Sequence, residues 1–121
     1  MGEEGKLFGC IYGGLKSNKY KKASFQHNYD VINNLPDTVD LPNDIYFTKH
    51  TFTVPIVTIN PPNYGNYRGF YRTQTIHFAQ SFKYLDDYLD GWIESFESLL
   101  RNLFWWETYL FVEQEANWNK T

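Results

Sequence analysis

The chain is poor in cysteine: of its 121 residues only Cys10 carries a thiol. A lone thiol excludes an internal disulfide, so the fold has to rest on its core, as in a reducing compartment such as the cytoplasm. Cys10 lies in the apolar stretch LFGCIYGG and is expected to be an inert core thiol. A nucleophilic cysteine needs an adjacent base, and none is signalled near it. Long hydrophobic runs are also missing; nothing approaches the ~20 apolar residues of a membrane span. The opening MGEEGKLFGC is acidic and polar, unlike a secretory signal. Histidine is scarce too. No two of His27, His50 and His77 have metal-ligand spacing, and no His–Cys cluster accompanies them, which argues against a zinc site. The glycines of GCIYGG are not followed by a phosphate-loop pattern, so no cofactor is implied.

Aromatic residues are abundant instead: 10 Phe, 10 Tyr and 4 Trp. Large rings fill a small core efficiently, each burying on the order of 150–250 Å². That many tyrosines cannot all be hidden, because every hydroxyl needs a partner or water. Some rings are therefore expected at the surface, where Tyr and Trp serve as interface anchors. The size fits a single domain, 1–121.

The net charge of −3 is unevenly spread. Residues 1–50 hold six lysines and six acids, and residues 51–80 hold only Arg68 and Arg72. Residues 81–121 hold three basic and eight acidic residues. Phosphate recognition needs cations, so this acidic pole makes nucleic acid an unlikely partner and favours a basic protein.

Along the chain, KLFGCIYGGL reads as a first strand that Gly13-Gly14 would break or bulge. KSNKYKK (16–22) reads as a basic loop, and SFQHNYDVI (24–32) as a second strand. NNLPDTVDLPND (33–44) is an irregular connection rich in Pro, Asn and Asp. In 45–59, Phe52, Val54 and Ile56 alternate with Thr51, Thr53 and Pro55, the mark of a strand with one buried face. Pro55 removes a ladder donor, so that strand lies at an edge or bends there. NPPNYGN (60–66) is a turn. In 67–82, Phe70, Ile76, Phe78 and Phe82 share one parity and face the core, while Tyr71, Thr73, Thr75, His77, Ala79 and Ser81 form an open polar face.

The period then lengthens. Leu85, Leu89, Trp92, Phe96, Leu99 and Leu103 recur every three or four residues and predict an amphipathic helix. Asp86 or Asp87 is placed to cap its first amides. Gly91 is costly in a helix, and a close approach to neighbouring backbone would explain it. Residues 107–118 close the chain as a strand whose Tyr109, Leu110, Phe111 and Val112 are apolar on both parities, as in a strand interior to a sheet. The order predicts an α+β fold: an antiparallel sheet, one long amphipathic helix (about 86–105) on one face, and a C-terminal strand after the helix.

On that helix Asp87, Asp90, Glu94 and Glu97 step by three, four and three and form one ridge, with Asp86 beside it and Arg101 the nearest cation. A solvated helix face usually mixes signs. An unmixed ridge suits docking on a basic protein surface, with electrostatic steering of the encounter. A compact, acidic, aromatic-rich α+β domain carrying DDYLDGWIESFE resembles the small bacterial immunity proteins that neutralise toxic nucleases. The resemblance implies tight, stoichiometric binding of a basic toxin nuclease and no chemistry of the chain's own, hence no enzyme and a cytoplasmic location. A second expectation stays open. YGNYRGFYR interleaves rings with Arg68 and Arg72, and with Tyr67, Tyr71 and His77 it outlines a small nuclease or single-strand nucleic-acid platform on the open sheet face. A homodimer through an edge strand or an aromatic patch is a third.

Overall fold

The computed structural model describes residues 4–15, 20–55 and 74–114. Four strands form one antiparallel sheet: β1 (Glu4–Gly13), β2 (Phe52–Thr53), β3 (Gln74–Lys83) and β4 (Trp105–Gln114), in the spatial order β2-β3-β1-β4. Two helices, α1 (Lys21–Asn33) and α2 (Leu85–Leu100), complete the α+β fold.

The period-two pattern of β1 and β3 sets the layers. Leu7 and Ile11 from β1 and Ile76, Phe78 and Phe82 from β3 are buried on one side of the sheet. Against them α2 lays Leu85, Trp92, Phe96, Leu99 and Leu100. The core is strongly aromatic. Trp92 stacks on Phe96 at 5.2 Å and meets Phe47 edge-on at 5.3 Å, and Phe47 in turn meets Phe52. The Trp92 indole N–H donates to Gln80 Oε1 at 3.0 Å, and the Gln80 amide donates to the Tyr46 carbonyl at 2.8 Å, so the large ring is buried without an orphaned donor. Buried and exposed parities of β3 fall as the alternation requires: Ile76, Phe78 and Phe82 inside, His77, Ala79 and Ser81 outside.

Residues 24–32 are helical, not extended. The buried positions Ser24, Phe25, Asn28 and Ile32 have helical spacing, but two of them are polar, which hides the stripe from a reading of apolar period. Lys21 and Lys22 open this helix and are not part of a loop. Asn28 explains the polar choice. Its amide donates to Gln74 Oε1 (3.0 Å) and to the Phe104 carbonyl (2.9 Å), and its Oδ1 accepts from the Phe104 N–H (2.9 Å). Gly14 N–H donates to the same carbonyl at 2.7 Å. Asn28 thus acts as a strand partner for the backbone that leads into β4, and α2 ends at Leu100, before the expected 105, because Phe104 is claimed by these bonds.

The strand expected over 45–59 is reduced, among described residues, to Phe52–Thr53. Thr48 and Thr51 side chains accept from the His50 and Thr48 amides and hold 49–51 in a 3-10 turn, which interrupts the ladder. Among the described residues β2 is one edge of the sheet, one of the two outcomes expected from Pro55, and β4 is the other, which corrects its expected place inside the sheet. No side chain caps α2: Tyr84, in the left-handed region at φ 64°, occupies the N-cap, and Asp86 and Asp87 serve only the helix dipole from the first turn. Gly91 has a close neighbour in the Tyr46 side chain, whose ring a Cβ would overlap.

Candidate functional site

The outward side of α2 carries the acidic ridge. Asp86, Asp87, Asp90, Glu94 and Glu97 are all exposed, because they lie opposite the stripe that buries Trp92, Phe96 and Leu99. Among the described residues the ion pairs are Lys49–Asp37 at 3.1 Å and His50–Asp37 at 3.7 Å, and neither reaches the ridge. Arg101 continues the ridge four residues beyond Glu97, yet its guanidinium donates to Ser98 Oγ at 3.2 Å. Asp86 accepts from the Gln114 side-chain amide, a neutral partner that leaves the carboxylate charge in place. Exposed Tyr84, with Lys83 Nζ 5.7 Å from its ring centroid, sits at the N-terminal end of the ridge.

A second feature lies on the opposite side of the sheet. The even positions of β1, with their partners on β3 and β4, form an open face that neither helix covers. Across it Phe8 stands between Ala79 and Phe111, Cys10 between His77 and Tyr109, and Lys6 between Ser81 and Glu113. The rings pair with one another: Phe8 stacks on Phe111 and Tyr12 on Trp106, both at 5.5 Å, and Tyr12 meets Tyr109 edge-on at 5.9 Å. Tyr109 O–H donates to Glu107 at 2.8 Å, which holds its phenol above the usual 10.0. A hydrogen bond with Cys10 raises Tyr12, and burial raises Tyr46. The face is close to electrically balanced, with Lys6 and Lys83 against Glu4, Glu107 and Glu113.

Cys10 is half-buried on this open face, so its expected place in the core is corrected. His77 is exposed there, directly across from Cys10. Tyr67, Arg68, Tyr71 and Arg72, the rest of the nucleic-acid expectation, lie outside the described residues, as do Phe70 and Thr73. Sequence reasoning passed over Phe8, Trp105, Trp106 and Phe111 as individual sites. The signal for Trp105, Trp106 and Phe111 is the apolar character of FWWETYLFV on both parities; Phe8 lies in KLFGC, on the parity of β1 opposite to Leu7 and Ile11.

A groove of about 430 Å³ opens between α1, the 35–47 connection and α2, lined by Val31, Leu35, Ile45, Phe47 and Leu99 with Asp44 and Asn102 among its polar groups. No group of three His, Cys, Asp or Glu among the described residues is arranged to hold a metal ion. No described helix is long and apolar enough to cross a membrane. No family model matches the chain, and neither the curated proteins nor the solved structures provide a match.

Proposed function

We propose that the protein is a non-enzymatic inhibitor of immunity type, which neutralises a basic partner, such as a toxic nuclease in the cytoplasm, by docking the outer side of α2. The observation that carries this reading is the ridge Asp87, Asp90, Glu94 and Glu97, exposed along one line with no described cation paired to it. Holding like charges at three- and four-residue spacing costs a few tenths of a kcal/mol per pair. A basic surface would relieve that repulsion on binding and be drawn in by it beforehand. Tyr84 supplies an aromatic anchor on the same side, whereas Tyr109 and Trp106 lie across the sheet and would need a partner that wraps the domain. The nucleic-acid alternative is less favoured by the described part of the open face, which carries no surplus of cations around His77.

The test titrates the full chain into a panel of basic RNase and DNase toxin domains and follows cleavage of labelled RNA and DNA. Stoichiometric inhibition of one of them is expected, weakened at least about tenfold by Glu94→Lys with Glu97→Lys and with a shallower salt dependence. Inhibition untouched by that double reversal removes the ridge from the interface. Cleavage by the chain alone, lost in His77→Ala, would establish the nuclease alternative instead.

A further inference from the structure

We infer that two copies of this chain pair through the free edge of β4, joining their sheets into one antiparallel sheet of eight strands with β4 inside it. The starting point is a conflict between pattern and place. A strand that is apolar on both parities belongs to the interior of a sheet. Yet among the described residues β4 ends the order β2-β3-β1-β4, and none of its ten residues is buried. Trp106, Tyr109 and Phe111 are open on one face, and Val112, 43% exposed, is open on the helix side. Exposure on both faces of one edge is what a lateral neighbour relieves; a molecule covering the open face would leave Val112 and Trp105 in water.

β4 guards its edge weakly: it is ten residues long and has no proline and no lysine, and its bulge lies at one end, opposite Tyr12 and Gly13. β2, the other edge, is two residues long and followed by Pro55. A bare antiparallel edge is also its own complement, since a two-fold axis normal to the sheet returns the same strand in the opposite direction and closes the assembly at two copies.

The charges permit this closure. The only charged residues of β4 are Glu107 and Glu113. An axis through Tyr109 sets Glu107 opposite Phe111 of the second copy, and one through Phe111 sets Tyr109 opposite Glu113 of the second copy. An axis through Leu110 would oppose Glu107 to Glu113, and one through either glutamate would oppose it to its own copy; like charges in those positions are destabilising. α2 lies against β1, and its first turn reaches β4, where Asp86 accepts from the Gln114 side chain, so salt that screens the two ridges should favour the pairing.

The four rings Trp105, Trp106, Tyr109 and Phe111 are 41% to 53% exposed. They hold roughly 300–400 Å² of exposed apolar surface along this edge, and pairing covers the flank of each that faces the second copy, toward the ~800 Å² that each partner gives to a standard interface.

Light scattering on the size-separated full chain, across micromolar to submillimolar concentrations, should give twice the 14.4 kDa of one chain. Val112→Glu, at an exposed position on the helix side, should raise the dimer dissociation constant at least about tenfold with the circular dichroism unchanged. Phe8→Glu, one strand removed from the edge, should shift it far less. Amide exchange along β4 in the unmodified chain should slow with rising protein concentration, which reads the same contact without any substitution. A monomer throughout overturns the pairing and gives the edge to another protein or to a segment of the same chain. A dimer that dissociates in Phe8→Glu but not in Val112→Glu overturns it in favour of stacked open faces.

Discussion

On the helix side of the sheet Leu7, Ile11, Ile76, Phe78 and Phe82 meet Trp92 and Phe96, and no buried side-chain polar atom among the described residues lacks a hydrogen-bond partner. On the other side Phe8, Tyr12, Trp106, Tyr109 and Phe111 meet chiefly one another, in water. The residue types are nearly the same and the backbone between them is shared. What differs is completeness: the first side is closed by partners within the chain, whereas the rings of the second keep about half of their surface in water. Stability should therefore reside on the first side.

The largest test of that division is Trp92→Ala. It removes a wholly buried ring and frees the Gln80 carbonyl from its indole donor, and should cost about 3–5 kcal/mol in urea unfolding. Asn28→Ala comes next. It deletes three hydrogen bonds at once and strands the Phe104 amide and the Gln74 side chain in a dry setting, for an expected loss of about 3 kcal/mol. A loss below about 1 kcal/mol would mean that water replaces the asparagine and that this end of the sheet is less closed than its geometry indicates.

Asn28 also shows where the sequence was readable and where it was not. α2 and β3 were legible because their buried positions are apolar and their periods differ, 3.6 against 2. α1 was not, since Ser24 and Asn28 sit in its buried stripe to satisfy backbone, Ser24 that of Leu15 and Asn28 that of Phe104 near the other end of the chain. That is a tertiary reason with no local trace. The place of β4 was misread for the opposite cause: its pattern describes an interior strand, but none of the described residues supplies the second neighbour. Gly91 lies between these cases. Its cost was visible, but its neighbour, the Tyr46 ring from 45 residues earlier, was not. Of the candidate site, the ridge was legible because i, i+3 and i, i+4 spacing maps directly onto one helix line, whereas cross-strand ring pairs depend on a register that no single strand encodes.

A substitution on the open side should behave differently. Phe8→Thr gives up one stacked pair with Phe111 on a surface already in contact with water, and keeps a β-branched residue that suits a strand. The expected cost is at most about 1 kcal/mol, measured by urea unfolding in dilute solution where chains do not associate. A cost matching Trp92→Ala would show that something within the chain covers this face, and the contrast between the two sides would fail.

The finest distinction comes from alkali. The Tyr109 phenol donates to Glu107, so the ionised phenolate would face a carboxylate, and the folded state holds the proton above the usual 10.0. A group whose value is raised on folding contributes stability that is fully present below its unfolded value and is lost as pH rises through the folded one. The midpoint of urea unfolding should thus begin to fall once the pH passes 10.0, and Tyr12 and Tyr46 add to the fall with the same sign. Tyr109→Phe removes one of the three titrations, so its midpoint should decline less steeply over the same range while matching the parent at neutral pH to within the worth of one exposed hydrogen bond. Parallel curves would mean that the Tyr109–Glu107 bond does not persist in solution. The open side would then contribute ring contacts alone to the isolated chain, with its polar groups as unengaged as its apolar ones.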